Sequence, residues 1–144
     1  MHRRDYIETE IEKIGRALGH ILGLREKGES NQAIDYVNSE VGKELNVTLE
    51  LLLSLSDEAV LKLLKEKNLT AGQLYYLAEM LFEIVVAEPQ AQNVKESDLK
   101  RILLLYEMGD KSTSSFNYEY LIKKVKIKSL LSNKAIKFSD EHNR

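Results

Sequence analysis

The segment at residues 5–28 constrains the fold most strongly, because its apolar residues repeat with helical spacing. At about 100° per residue, spacings of four and three place these side chains on one face of a helix. Asp5 and Glu8 match a capping box, and Gly28 is a residue type that ends helices. We therefore predict one long amphipathic helix that the remaining elements cover. Its apolar face consists of Ile7, Ile11, Ile14, Leu18 and Ile21.

Gly15, Gly19 and Gly23 recur at every fourth position of this predicted helix. Each glycine inside a helix costs about 0.5–1 kcal/mol relative to alanine, so their presence needs a reason. One explanation is close packing against the next helix of the same chain, which we expect. The other is a seam through which two copies associate as a homodimer. The charged residues along the segment exclude a membrane-spanning helix.

Helical periodicity also predicts further helices at residues 30–45, 57–67, 70–87, 93–108 and 115–131. Residues 47–56 are dense in leucine and are predicted as either a short buried helix or a turn. The predicted N-terminal signals are Ser56 or Asp57, Thr70 with Gln73, and Asn93 with Glu96. The predicted stops are Asn68, Pro89 and Gly109.

Composition supports an all-α fold. The 144 residues include one proline and seven glycines, too few for a turn-rich β fold, and no cysteine. We predict a single domain over residues 1–144 of about six helices packed as antiparallel hairpins, with its core at 5–131 and a partly ordered tail at 132–144. The absence of a leader-like apolar segment or a long apolar run predicts a cytoplasmic protein without a membrane span.

The first predicted hairpin carries a resemblance to the tetratricopeptide unit. Leu24, Ala33 and Val37 match that motif's large–small–large spacing of nine and four, whereas its tryptophan, its Leu-Gly pair and its terminal proline are missing. Residues 5–131, and most strongly 5–64, resemble an uncharacterised bacterial family of tetratricopeptide-like helical proteins, a domain of unknown function. The resemblance implies a right-handed array of helical hairpins and carries over no functional residue.

No catalytic, cofactor or metal motif is visible. Lone His20 lies away from the isoleucine face and is predicted as a surface or boundary residue. The carboxylate pairs Glu8/Glu12 and Glu79/Glu83 lie one helical turn apart without histidines at matching spacing, so we expect solvated helix faces rather than a metal site. We predict no cofactor.

Lysines are concentrated in the last predicted helix. Lys123, Lys124, Lys126 and Lys128 are candidate contacts for an anion such as a phosphate or an anionic surface. No arginine or interleaved aromatic residue accompanies them, so a solvated face is the preferred interpretation and nucleic acid is an improbable partner.

The predicted function is a non-catalytic protein-interaction module that binds an unidentified protein or peptide, since stacked hairpins leave a concave surface. The alternative is a nucleic-acid or anionic-surface binder acting through the lysine-rich helix. The third candidate is an enzyme with unrecognised chemistry. The interaction module rests on fold analogy.

Overall fold

The computed structural model of the protein describes residues 3–85, 94–112 and 122–133. Within these ranges the chain is all-helical and contains no strand. Its helices are α1 (Arg3–Glu26), α2 (Ser30–Leu45), α3 (Leu49–Ser54), α4 (Asp57–Glu66), α5 (Ala71–Val85), α6 (Glu96–Lys111) and α7 (122–133). The all-α prediction is therefore confirmed, and the leucine-dense segment proves to contain a short helix.

The central helix is α5 rather than α1. Every residue from Ala71 to Phe82 is buried except Gln73, which is half-buried. Helix α6 packs most extensively on α5, and α1 and α2 pack on it as well. The mostly apolar sequence of α5 follows from this position, because a helix covered on several sides has little surface for solvated charged residues. Our expectation that the other elements cover α1 is wrong.

Several helix ends follow the predicted local chemistry. Thr70 and Gln73 form a reciprocal capping box, in which each side chain accepts a hydrogen bond from the other's backbone N–H at 2.9 and 3.1 Å. The Ser56 hydroxyl accepts from the backbone N–H of Ala59 at 3.2 Å. Gly28 and Asn68 adopt positive φ angles of 75° and 53°, as residues that end helices commonly do.

Other boundaries differ from the prediction. Helix α6 begins at Glu96 after Lys95, which forms no side-chain cap, and it continues through Gly109 to Lys111. The predicted stop at Gly109 is therefore wrong, and so is the earlier start, because residues 94–95 are not helical; Asn93 itself lies outside the described residues. Helix α7 extends two residues into the predicted tail. Pro89, residues 113–121 and the remainder of the tail lie outside the described residues.

Contacts between distant helices distinguish this packing from a simple linear array. Helix α1 packs on both α2 and α5. In a linear repeat array each unit contacts only its neighbours in sequence. The α1–α5 contact therefore gives the tetratricopeptide-like array no support, and that arrangement of hairpins stays a prediction. Across the described ranges, no helix has the length and apolar character needed to cross a membrane.

Candidate functional site

Helix α7 is attached to the α5–α6 pair through two clusters, each built from a tyrosine, a carboxylate and a lysine. In the first cluster the carboxylate is Glu79 of α5, which is only 2% exposed. The Tyr106 hydroxyl of α6 donates to Glu79 Oε1 at 2.8 Å, and Lys123 Nζ of α7 donates to Glu79 Oε2. Lys123 Nζ also lies 5.0 Å from the ring centroid of Phe82, within range of a cation–π contact.

Burial changes the acidity of this carboxylate. Desolvation raises the pKa of Glu79, and the opposing charge and hydrogen bond of Lys123 and the Tyr106 hydrogen bond only partly offset that effect. The ion pair between Lys123 and Glu79 therefore offsets part of the cost of burying this carboxylate, and it also connects α7 to α5. Its lysine carries a half-buried side chain that reaches the surface, so the cluster lies at the edge of the core.

The second cluster repeats the arrangement one turn along α5 and α6. The Tyr75 hydroxyl of α5 donates to Asp110 Oδ1 of α6 at 2.8 Å, and Lys124 Nζ of α7 donates to Asp110 Oδ2 at 2.6 Å. Tyrosine and carboxylate have exchanged helices relative to the first cluster. Consecutive lysines of α7 thus contact both members of the α5–α6 pair.

The two clusters correct the expectation of a solvated carboxylate face on α5, and they reduce the number of lysines available to an anion. Glu79 is buried, and Glu83 forms a 3.0 Å ion pair with Arg25 of α1 in which both side chains are mostly covered. Our expectation that Glu79 and Glu83 form a solvated face is wrong, because α6, α7 and α1 cover that part of α5. Lys123 and Lys124 are already paired with carboxylates of the same chain.

The outer face of α7 contrasts with the attached one. Within residues 122–133, Ile127 is fully buried, whereas Ile122 and Val125 are 69% and 58% exposed. A spacing of three residues places these two side chains beside one another. Lys126 and Lys128 are exposed and lie on opposite sides of the pair. We call Ile122, Val125, Lys126 and Lys128 the α7 outer face.

The three glycines of α1 do not support close packing within the chain. Gly15 and Gly19 are exposed and Gly23 is half-buried. A Cβ atom placed on any of them would meet no neighbouring atom within 4 Å. The described residues therefore provide no helix that approaches this ridge, which disagrees with the explanation we expected. Self-association is the explanation that stays open.

Arg101 is a buried cation that the sequence analysis missed. Its guanidinium donates to the carbonyl oxygens of Leu52 and Leu55, the latter at 2.8 Å, and to Asp57 Oδ1 at 3.0 Å. Both carbonyls lie at the end of α3. The last carbonyl oxygens of a helix have no backbone N–H of a following turn to accept from. Arg101 of α6 therefore joins the end of α3 to the start of α4. Its role is structural.

The catalytic candidates gain little from the structure. His20 is exposed, as predicted, with its ring 4.3 Å from that of Tyr36. Among the residues that the structure describes, no group of three or more His, Cys, Asp or Glu side chains could hold a metal ion. Glu79 has the raised pKa that a general acid needs, but its carboxylate oxygens are engaged by Tyr106 and Lys123.

Comparison with known proteins does not identify a relative. The chain matches no family model, no curated protein and no solved structure.

Proposed function

We propose that the protein is a non-catalytic protein-interaction module and that it binds its partner through the α7 outer face. The observation that carries the proposal is the exposure of Ile122 and Val125, by 69% and 58%, on adjacent turns of one helix face. Single exposed apolar residues are normal on protein surfaces, whereas neighbouring ones indicate a contact surface.

The attachment of α7 strengthens this interpretation. The inner face of α7 is fixed by Lys123 and Lys124, by Ile127, and by the partly buried Leu130 and Leu131. The helix consequently has a defined orientation, and its outer apolar residues are presented in a fixed geometry. A preformed surface loses less conformational entropy on binding than a mobile one.

The anion-binding alternative has less support. Two of its four candidate lysines, Lys123 and Lys124, already pair with carboxylates, which leaves Lys126 and Lys128 for a phosphate or an anionic surface. Two exposed lysines provide weak, salt-sensitive binding. An enzyme is the third candidate. The array of antiparallel hairpins and the cytoplasmic location are parts of this proposal that rest on the sequence patterns.

The test is an affinity pull-down of the tagged full chain from its native lysate, with bound proteins identified and nucleic acid quantified. The informative variant is I122S/V125S. The matched control is L51S/L61S, which removes two exposed leucines, 41% and 39% exposed, from α3 and α4. We expect a stoichiometric protein partner with the wild type and the control, and its loss with I122S/V125S.

Equal recovery of the partner by both variants would contradict the proposed surface. Recovery of nucleic acid in place of protein, lost when Lys126 and Lys128 are replaced by glutamine, would favour the anion-binding alternative instead. Circular dichroism of each variant confirms that the helical content is unchanged.

A further inference from the structure

We propose that the partner of the α7 outer face is a second copy of this chain, whose α1 helix crosses α7 at a steep angle. The inference rests on the proposed function and specifies its partner. It is carried by opposite charge and matching shape on two helix faces that the described chain leaves uncovered.

The complementary face lies on α1, opposite its buried side. Residues at spacings of three, four, three and four are exposed there and form one stripe: Glu12, Gly15, Gly19, Leu22 and Glu26. Leu22 is 56% exposed. We call these five residues the α1 stripe. It has a glutamate at each end and an apolar or side-chain-free surface between them.

Charge complementarity favours α7 as the occupant of this stripe. Glu12, Glu26, Lys126 and Lys128 form no ion pair with any described residue, and Lys126 Nζ lies 5.6 Å from the ring centroid of Phe82. Two glutamates on one face and two lysines on the other are therefore available to each other. Arg16, an exposed cation, lies one turn from Glu12 and about 40° around α1 from it, so it borders the stripe on one side and reduces its net charge to −1.

The geometry of the two faces indicates a crossed arrangement. Glu12 and Glu26 are separated by about 21 Å along α1, at 1.5 Å per residue, and a helix with its side chains is about 10–12 Å wide. A helix laid across the middle of the stripe therefore fits between the glutamates. Lys126 and Lys128 flank α7 on opposite sides, so each would reach towards one glutamate.

The middle of the stripe suits the apolar pair of α7. At Gly15 and Gly19 even a Cβ would meet nothing within 4 Å, so a neighbouring chain can approach the α1 backbone closely. Ile122 and Val125 would contact this bare backbone, and Leu22 would pack beside them. The contact joins two different faces, so it is heterologous and leads to a ring, an open chain or a reciprocal pair.

The experiment is sedimentation velocity of the full chain at increasing concentration, up to about 100 µM. We expect a reversible shift to larger species that weakens as salt is added, because exposed charge pairs are screened. The single-face variants E12K/E26K and K126E/K128E should each weaken association at least about tenfold. An equimolar mixture of these two variants should restore it, because one then supplies basic stripes and the other acidic α7 faces.

Three results would overturn the inference. They are a wild type that stays monomeric across the concentration range, association that both charge reversals leave unchanged, and a mixture that does not recover. K128E alone is the milder variant, since Lys128 makes no contact that the fold needs, and it should weaken association in the same direction. Helical content measured by circular dichroism shows that each variant is folded.

Failure of this inference can be separated from failure of the proposed function. A monomeric protein that captures a different protein through Ile122 and Val125 would keep the proposed function and reject self-association. Binding of wild type to vesicles of anionic phospholipid, with no self-association, would reject it in favour of a membrane surface. Self-association that persists in I122S/V125S would contradict the inference, and the pull-down with the same variant would still decide the proposed function.

Discussion

The ring of Tyr75 lies against the bare backbone of Gly109, so closely that a Cβ atom on this glycine would be 2.5 Å from Tyr75 Cε1. This contact explains why α6 continues through a residue that usually ends helices. Glycine is needed here for space, not for its freedom to adopt a positive φ angle. The Tyr75 hydroxyl, fixed on Asp110, holds the ring in place.

Two glycine-to-alanine substitutions should therefore change stability in opposite directions. Gly109→Ala should lower the free energy of unfolding by about 1–2 kcal/mol, because the ring or the helix must shift to admit the methyl group. Gly19→Ala should raise it by about 0.5–1 kcal/mol, because the added methyl meets no atom and alanine favours the helix. Chemical denaturation of both variants measures the difference. A destabilised Gly19→Ala protein would show that the glycine has a packing partner within the chain.

Arg101→Met should be strongly destabilising. The substitution leaves the carbonyl oxygens of Leu52 and Leu55 without their donor at the end of α3. We expect a loss of about 2–4 kcal/mol in the free energy of unfolding, as for other disrupted buried networks. Arg101→Lys should recover little, because an ammonium group lacks the planar fork that reaches several acceptors.

The control for this prediction is Asp57→Asn. Asp57 is 81% exposed in its side chain, so its ion pair with Arg101 contributes at most about 0.5–1 kcal/mol. If Asp57→Asn proved as damaging as Arg101→Met, the charge pair rather than the carbonyl contacts would be the stabilising element.

Lys123→Met should destabilise the protein more at high pH than at low pH. Desolvation raises the pKa of Glu79 and Lys123 opposes that rise, so removing the lysine raises the pKa further. A carboxyl with a raised folded-state pKa contributes stability that is fully present below its unfolded pKa and is lost as pH rises through the folded pKa. The variant should therefore lose stability with rising pH over a wider range than the wild type.

The measurement is the free energy of unfolding of wild type and Lys123→Met between acid and mildly alkaline pH. We expect a difference of about 1–3 kcal/mol above the folded-state pKa of Glu79, and a smaller one in acid, where Glu79 is neutral and needs no counter-charge. Lys128→Met is the matched control, because Lys128 is exposed and forms no ion pair with any residue that the structure describes. A pH-independent effect of Lys123→Met would contradict the predicted coupling between Lys123 and the ionisation of Glu79.

The sequence predicted what short-range chemistry determines. The capping box of Thr70 with Gln73 and the cap at Ser56 follow from residues three positions apart, so no tertiary information was needed. Periodicity likewise located the longer described helices, whereas it left α3 undecided between a helix and a turn. Gly109 was misassigned because its reason for being glycine, the ring of Tyr75, is 34 positions away in the chain.

The candidate site was less predictable for the same physical reason. Glu79 was expected on a solvated face and Arg101 was not singled out at all, because the burial of both depends on partners from other helices. The lysine cluster was recognised, but the pattern could not tell that Lys123 and Lys124 face inward while Lys126 and Lys128 face outward. That division follows from the orientation of α7 on the α5–α6 pair.

The two tyrosine–carboxylate–lysine clusters should differ in their sensitivity to loss of one hydroxyl. Tyr106→Phe removes a donor from a carboxylate that is 2% exposed, so water has little access to replace it. We expect the free energy of unfolding to fall by about 1.5–3 kcal/mol, the range for a hydrogen bond to a charged group.

Tyr75→Phe removes the equivalent bond to Asp110, whose side chain is 40% exposed. Water can hydrate that carboxylate, so the loss should be about 0.5–1 kcal/mol. Paired denaturation curves of the two variants provide the measurement, and equal losses would mean that burial does not distinguish the clusters.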